Sequence, residues 1–204
     1  MEETMNIVAI MGSYRKGHTI DILMDKAIEG IKSVRPEAKI DKIILIDRHI
    51  EYCRNCMVCR NDDPAKSIAH CAIQDDMQEI YPILDQADAY IFGTPINIGH
   101  ETAVMKTFIE RVCYVLAKPG DYPLQGCPAP RTTRKKKAIA IMSSGVVPPL
   151  LRMFCDDATS LFKSFCDSIL NARLIGTMYA GAIEKRGVEN YATQAFHLGR
   201  KLVT

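Results

Sequence analysis

Five short apolar runs, separated by segments with helical periodicity, are the feature that most constrains the fold of this 204-residue chain. Within each run the apolar residues follow one another without polar alternation, which is typical of parallel strands buried on both faces. Between the runs, apolar residues recur three and four positions apart, as on one face of a helix. The predicted strands are Asn6–Met11, Ile40–Ile46, Ala89–Thr94, Ala138–Met142 and Leu174–Tyr179.

Strands that alternate with helices predict an α/β fold with helices on both faces of one parallel sheet. The commonest five-stranded arrangement has the order 2-1-3-4-5, and its ligand crevice lies beyond the carboxyl ends of strands 1 and 3. The length is typical of a single domain, here 1–204. The predicted helices cover 20–31, begin near Asp75, and then span 105–116, 154–169 and 189–202, with a long loop at 118–137.

Composition excludes several classes of partner. The chain is 48% hydrophobic, enough for one core, and its net charge of +2 gives no reason to expect nucleic acid or an anionic membrane surface. No apolar run is long enough to span a bilayer. The acidic N-terminus does not resemble a signal peptide, so we expect a cytoplasmic protein.

The loops after strands 1 and 3 are the unusual ones, as this topology requires. The first, GSYRKGHT, nearly matches a P-loop, but His18 occupies the lysine position and no Asp follows strands 3 and 4. Backbone N–H groups at a helix N-terminus, the hydroxyls of Ser13 and Thr19, and nearby Arg15 suit a single phosphate monoester. The alternative is an ordinary strand-to-helix turn. The second loop is GTPINIGHET, from Gly93 to Thr102.

Eight cysteines, with no export signal, indicate thiols or metal ligands in preference to disulfides. Four of them lie in a cysteine-rich loop at 51–74, with the spacing C-x2-C-x2-C and then, after a gap of eleven residues, a fourth. A [4Fe–4S] cluster, a zinc ion and plain reduced thiols all remain open. His70 in this loop is expected to be solvated. The four residues are Cys53, Cys56, Cys59 and Cys71.

Three segments in this order resemble the NADPH-dependent FMN reductase branch of the flavodoxin-like fold, close to the iron–sulfur flavoproteins. They are GSYRKGHT, then CRNCMVC with a later Cys and DDM, then ADAYIFGTPI with TAVMKTFIER. The resemblance covers nearly the whole chain. It implies a flavodoxin-like three-layer sandwich and points to a [4Fe–4S] cluster on the four cysteines of the loop.

The resemblance also implies an FMN site on three loops. The expected phosphate contacts are Ser13, Arg15, Gly17, His18 and Thr19. The expected isoalloxazine contacts are Thr94, Pro95, Ile96, Asn97 and Ile98, and the third loop is Ser143, Ser144 and Gly145. Relatives often carry an aromatic residue where this chain has Asn97, which cannot stack as Tyr would.

The implied activity is that of an FMN-dependent oxidoreductase. It would move electrons from NAD(P)H or an electron carrier to a flavin, quinone or similar acceptor, through a cluster if one is present. The acceptor would be a small molecule or a protein, and the chain a homodimer or homotetramer. No catalytic acid or base is predicted. The alternatives are a non-enzymatic flavin-binding electron carrier and a phosphate-binding regulatory domain without flavin.

Three charged features receive structural interpretations. Asp75 and Asp76 are expected to be surface acids at the start of a helix. Arg111 is expected to satisfy carbonyl groups at the end of its helix. The basic run 131–137 is expected to be a solvated loop, with attraction of an NADPH phosphate as the alternative.

Overall fold

The computed structural model describes residues 4–121, 123 and 125–204, and its centre is one five-stranded parallel sheet. The sheet has the order β2-β1-β3-β6-β7, and a separate two-stranded hairpin joins β4 and β5. With the hairpin set aside, this is the predicted order 2-1-3-4-5. The strands are β1 Asn6–Met11, β2 Lys39–Ile44, β3 Ala89–Pro95, β4 Ala117–Pro119, β5 Pro128–Pro130, β6 Lys136–Ser143 and β7 Ala172–Ala180.

Helices cover both faces of the sheet and make the three-layer, flavodoxin-like sandwich that was predicted. One layer contains α1 and α6, and the other contains α2, α3 and α4. Successive strand residues alternate between the two layers, so Ile7 and Ala9 join one core and Val8 and Ile10 the other. The helices are α1 Thr19–Lys32, α2 Met77–Gln86, α3 Ala103–Leu116, α4 Ala158–Ser168, α5 Ile183–Arg186 and α6 Ala192–Val203.

Two glycines allow α1 and α6 to pack backbone to backbone. A Cβ atom at Gly30 would lie 2.0 Å from the carbonyl oxygen of Phe196, and one at Gly199 would lie 1.9 Å from that of Ala27. Any larger residue would therefore push these two helices apart. The helical pattern of the sequence gives no sign of this contact, because it identifies the buried face but not the neighbour.

Element boundaries differ from the prediction where 3₁₀ turns adjoin the regular elements. Strand β2 ends at Ile44 because Leu45–Asp47 forms a 3₁₀ turn. The predicted start of the fourth helix near Phe154 was wrong, since Pro149–Phe154 is a 3₁₀ helix. Similarly, Glu189–Tyr191 is a 3₁₀ turn that precedes α6.

The basic run before β6 is not wholly solvated, which corrects the prediction for Lys136. Its side chain is buried, and Nζ donates to the carbonyl oxygens of Leu84 and Asp85, 3.1 and 2.8 Å away, and to the Tyr90 hydroxyl. Lys136 thus caps the C-terminal end of α2. Burial lowers the pKa of Lys136 to about 8. The rest of the predicted long loop holds the β4–β5 hairpin, which the sequence did not indicate.

In the part of the chain that the structure describes, no helix combines the length and the apolar character that crossing a bilayer would require.

Candidate functional site

A cleft of about 360 Å³ opens at the carboxyl ends of the central strands, within the size range of small-molecule sites. The loops after β1, β3, β6 and β7 form its walls, so it occupies the crevice that the strand order predicts. Ten of the thirteen predicted FMN contacts line it: Ser13, Arg15, His18, Thr19, Pro95, Ile96, Asn97, Ser143, Ser144 and Gly145.

The first wall is the N-terminal end of α1. The N-cap residue is His18, and its side chain makes no capping hydrogen bond. The N–H groups of Thr19 and Ile20 have no acceptor inside the helix, because they belong to its first turn. This end of the helix therefore offers donors and a positive dipole to an anion in the cleft.

The turn before α1 is held by its own hydrogen bonds. Gly17 has a φ of +70°, which a residue with a side chain rarely adopts, and its N–H donates to Asp21 Oδ2 at 2.6 Å. Asp21 in turn accepts from Lys42 Nζ at 2.5 Å. Burial acts to raise the pKa of Asp21, but the Gly17 N–H and Lys42 outweigh it and the net shift is downward.

These bonds mean that Gly17 shapes the loop while its own N–H is already occupied. Gly17 does not line the cleft, and Lys16 beside it pairs with Asp47 at 2.9 Å. The Ser13 hydroxyl lies against both the N–H and the carbonyl of Arg15, each 3.2 Å away. The N–H groups of Arg15 and Gly17 are thus already bonded, whereas those of the α1 first turn have no partner inside the helix.

Two threonines join the ends of β1 and β3. Thr94 is fully buried, and its Oγ1 accepts from the Thr102 N–H at 3.2 Å. Thr102 Oγ1 donates to the carbonyl oxygen of Gly12 at 2.5 Å and accepts from the Met105 N–H, so it is also the N-cap of α3. Thr94 therefore supports the floor of the cleft from beneath and does not line it.

The loop after β3 contains a tight turn at the mouth of the cleft. Asn97 and His100 exchange backbone hydrogen bonds of 2.8 and 3.1 Å, and both central residues, Ile98 and Gly99, have positive φ angles. A β-branched residue at φ +51° is a strained conformation. The Ile98 side chain is 99% exposed and points away from the cleft lining.

Four residues that the sequence reasoning missed complete the lining: Tyr14, Ile20, Ile183 and Glu184. Tyr14 lies within the first loop motif and Ile20 directly follows it, so their places beside the motif could have identified them. The Tyr14 hydroxyl accepts from the Ala103 N–H at 3.2 Å and connects this loop to α3. Glu184 comes from α5, which follows the last strand, and no sequence motif marks this segment.

The four loop cysteines converge on a second, smaller cavity. It measures about 50 Å³ and is lined by all four of them together with Arg111 and Tyr114 from α3. Cys53 and Cys56 are exposed, Cys59 is half-buried and Cys71 is buried. Burial, and then the neighbouring thiols of Cys71, Cys53 and Cys56, raise the pKa of Cys59.

Contacts from other elements hold this cysteine loop in place. Arg131 Nη2 donates to the Cys59 carbonyl at 3.2 Å, and Nη1 donates to the Asp63 carbonyl at 2.7 Å. The Ala69 N–H donates to the Val115 carbonyl on α3. His70 is exposed, as expected. Within the described ranges, no group of three or more His, Cys, Asp or Glu side chains is arranged to hold a single metal ion.

Asp75 and Arg111 form a buried ion pair beside this cavity, and both predictions about them were wrong. Their side chains are 0% and 1% exposed, and Nη1 lies 2.5 Å from Oδ2. Arg111 lies within α3, where it faces α2 and the cysteine loop, so it does not cap a helix end. Burial acts to raise the pKa of Asp75, but Arg111 and the N–H groups of Glu51 and Met77 give a net downward shift.

A flavodoxin-like sheet with an anion-binding helix end at its switch point defines a class of proteins that bind a phosphorylated ligand in this crevice. A model of the NADPH-dependent FMN reductase family matches residues 5–149 of the chain. The chain therefore belongs to the NADPH-dependent FMN reductase family.

Curated relatives are named iron–sulfur flavoproteins. One from Archaeoglobus fulgidus is 32% identical over 121 residues, covering 59% of this chain and 54% of its own length. One from Methanosarcina thermophila is 32% identical over 107 residues, covering 52% of each. The chain thus spans about half the length of the curated relatives it matches.

Solved structures with the same fold have much lower sequence identity. An NAD(P)H:quinone oxidoreductase from Methanothermobacter marburgensis superposes with a TM-score of 0.71 at 16% identity, covering 99% of this chain and 98% of its own. An FMN-dependent NADH-azoreductase from Bacillus anthracis, solved in complex with FMN, gives 0.69 at 10% identity and covers 98% and 100%. These matches show the shared fold.

Replacing Thr102 with Val tests the junction between β1 and β3. The substitution keeps the shape of the side chain but removes the hydroxyl that bonds Gly12 and caps α3. We expect the free energy of unfolding to fall by about 1–2 kcal/mol, measured by denaturant titration. Thr107→Val on the same helix is the matched control and should change it by less than about 0.5 kcal/mol. Equal effects of the two substitutions would contradict this role of Thr102.

Proposed function

We propose that this protein is an FMN-dependent oxidoreductase that moves electrons from NAD(P)H or an electron carrier to a flavin, quinone or similar acceptor. The observation that carries the proposal is the cleft at the switch point, where the uncapped N-terminus of α1 faces loops from β3 and β6. We propose further that residues 1–204 form a single flavin-binding domain that includes the cysteine-rich loop at 51–74.

The phosphate end of FMN would bind at the first turn of α1. Thr19 and Ile20 supply backbone N–H groups there, and the side chains of Ser13, Arg15 and His18 line the same end. A dianionic phosphate gains both hydrogen bonds and the favourable end of the helix dipole. Gly17 would contribute by its backbone conformation, since its N–H is bonded to Asp21.

The isoalloxazine end would lie between the loops after β3 and β6. Pro95, Ile96 and Asn97 form one side, and Ser143 to Gly145 form the other. Because Asn97 offers an amide and no aromatic ring, it would hold the flavin by hydrogen bonding and not by stacking. Thr94 would act from below, and Ile98 lies outside this contact.

The chemistry would come from bound FMN, which accepts a hydride from the nicotinamide and passes electrons to the acceptor. For a quinone acceptor, NADPH loses a hydride to become NADP⁺. The quinone gains two electrons and two protons, the second proton coming from solvent. The protein would position the reactants and exclude competing reactions, so no acid–base pair is assigned to it.

The cysteine cavity fits a [4Fe–4S] cluster, and we propose that Cys53, Cys56, Cys59 and Cys71 bind one. Four thiols around one mostly apolar cavity are the donor set of such a cluster. Each of the four cysteines would supply one thiolate to hold the group. The buried Nε of Arg111 has no hydrogen-bond partner among the described residues, and cluster sulfur would provide an acceptor. Such a cluster carries one electron at a time.

An oligomer would cover an apolar surface beside the cleft, and we propose a homodimer or homotetramer. Leu150, Met153 and Phe154 are 87%, 81% and 76% exposed, and strained Ile98 lies close by. The Gly99 carbonyl accepts from the Asp157 N–H at 2.8 Å, which joins these two segments.

All eight cysteines are unpaired, which suits the reducing cytoplasm.

Replacing Ser13 and Thr19 together with Val should weaken FMN binding, because each hydroxyl would donate to the phosphate. Loss of one charge-assisted hydrogen bond costs about 1.5–3 kcal/mol, so the dissociation constant should rise at least about tenfold. Quenching of flavin fluorescence on titration measures it. Thr193→Val, on the exposed side of α6, should leave it unchanged. An unaltered constant in the double variant would show that the phosphate binds elsewhere.

Turnover distinguishes the enzyme from its main alternative, a flavin-binding electron carrier. Protein saturated with FMN should oxidise NADPH or NADH in the presence of a quinone, with one nicotinamide consumed for each quinone reduced. The measurement is the fall in nicotinamide absorbance under anaerobic conditions. Bound flavin that stays oxidised with both nucleotides would refute the reductase and favour the carrier. Protein that binds no FMN would instead indicate a phosphate-binding regulatory domain.

Iron and acid-labile sulfide test the cluster directly. Protein prepared without oxygen should contain about four of each per chain. Cys71→Ser should abolish both, because Cys71 is the buried thiol at the base of the cavity. Cys127→Ser, at an exposed cysteine outside the loop, is the matched control and should retain both. Absence of iron and sulfide from the unaltered protein would refute the cluster and leave zinc or plain thiols as the explanation of the loop.

A further inference from the structure

Helix α3 carries a buried arginine that flavin chemistry does not require. Arg111 is 2% exposed, and two nitrogens of its guanidinium donate hydrogen bonds to the Asp75 carboxylate, at 2.5 and 3.0 Å. Nη1 also donates to the Glu51 carbonyl at 2.8 Å. Because Asp75 carries the opposite charge and is equally buried, the pair has no net charge. Pairing with Asp75 therefore explains the charge of Arg111, but it does not explain why the other N–H groups of the guanidinium point where they do.

Those remaining donors belong to the cysteine cavity. Nη2 lies 3.6 Å from the Cys71 sulfur, within hydrogen-bonding distance for sulfur. Nε is buried and has no partner among the described residues, and Arg111 is one of the residues that line the cavity. A buried N–H without an acceptor costs free energy, so an acceptor in the cavity would stabilise this arrangement.

Asp75 fixes the direction in which the guanidinium points. Its carboxylate accepts from the Glu51 N–H at 2.8 Å and from the Met77 N–H at 3.1 Å, besides the two bonds from Arg111. The Asp75 carboxylate thus joins the start of α2, the start of the cysteine loop and the guanidinium of Arg111. With one side of the fork held there, the other side faces Cys71.

We propose that Arg111 is a positioning residue for the cysteine cavity. It donates N–H···S hydrogen bonds to the Cys71 thiolate and to the sulfur of the cluster, and it thereby raises the reduction potential. Hydrogen bonds to cluster sulfur stabilise the reduced, more negative form. The inference rests on the proposed cluster, but it concerns a residue that is not a ligand.

Arg111→Lys and Arg60→Lys form a matched pair for the test. Arg60 lines the same cavity, but its guanidinium lies over the Tyr114 ring at 5.1 Å and donates to the Gly126 carbonyl. Both substitutions keep the charge, and only the first removes the planar fork directed at Cys71. A merely structural arginine would change stability without changing the potential of the cluster.

The measurement is an anaerobic redox titration of the cluster, followed by its visible and electron paramagnetic resonance signals. At the midpoint of the unaltered protein, Arg111→Lys should show about a tenfold lower ratio of reduced to oxidised cluster, which is 59 mV for one electron. Arg60→Lys should match the unaltered protein. If Arg111→Lys does not fold, the double variant Arg111→Gln with Asp75→Asn, which leaves no buried charge, replaces it and should shift in the same direction.

The outcomes separate this proposal from the one on which it rests. A cluster present in both variants at the potential of the unaltered protein overturns the role of Arg111 alone. Equal shifts in the Arg111 and Arg60 variants also overturn it, since the effect would then not depend on the fork. Unaltered protein without iron and sulfide overturns the cluster itself, and the positioning role with it.

Discussion

The side-by-side ends of β1 and β3 are the constraint on which the rest of the site depends. The Gly12 N–H donates to the Gly93 carbonyl at 2.7 Å, and the Thr102 hydroxyl donates to the Gly12 carbonyl. A Cβ at Gly12 would lie 2.8 Å from that of Met105, and one at Gly93 would lie 2.2 Å from the Met24 sulfur. Because neither strand end carries a side chain, α1 and α3 can start close together and their loops become the two walls of one cleft.

Helix α3 then links the cleft to the cysteine cavity. Its N-cap, Thr102, lies under the cleft, and Arg111 lies nine residues further on, about 14 Å along the axis. The same helix holds the cysteine loop by the bond between Val115 and Ala69. One helix therefore sets the relative position of both candidate redox centres.

Sequence reasoning succeeded where chemistry is local and failed where it depends on a distant partner. The strand order and the two switch-point loops were predicted, since periodicity and loop composition report them directly. Asp75 and Arg111 were each assigned to a helix end, because each charged residue alone is most often exposed. They stand 36 positions apart, and only the fold shows that each neutralises the other. Lys136 was missed for the same reason.

Consecutive residues were enough to establish the α/β class, the position of the crevice and the set of clustered cysteines, because continuous apolar strands and loop motifs are local features of a sequence. The folded chain was needed to show which donors remain free in the crevice, since the Gly17 N–H donates to Asp21. The packing of side chains is what decided this. It also decided that Arg111 faces Cys71. The bond of Gly17 and the direction of Arg111 both depend on side chains brought together by packing. An N–H group that donates to one acceptor is no longer available to another.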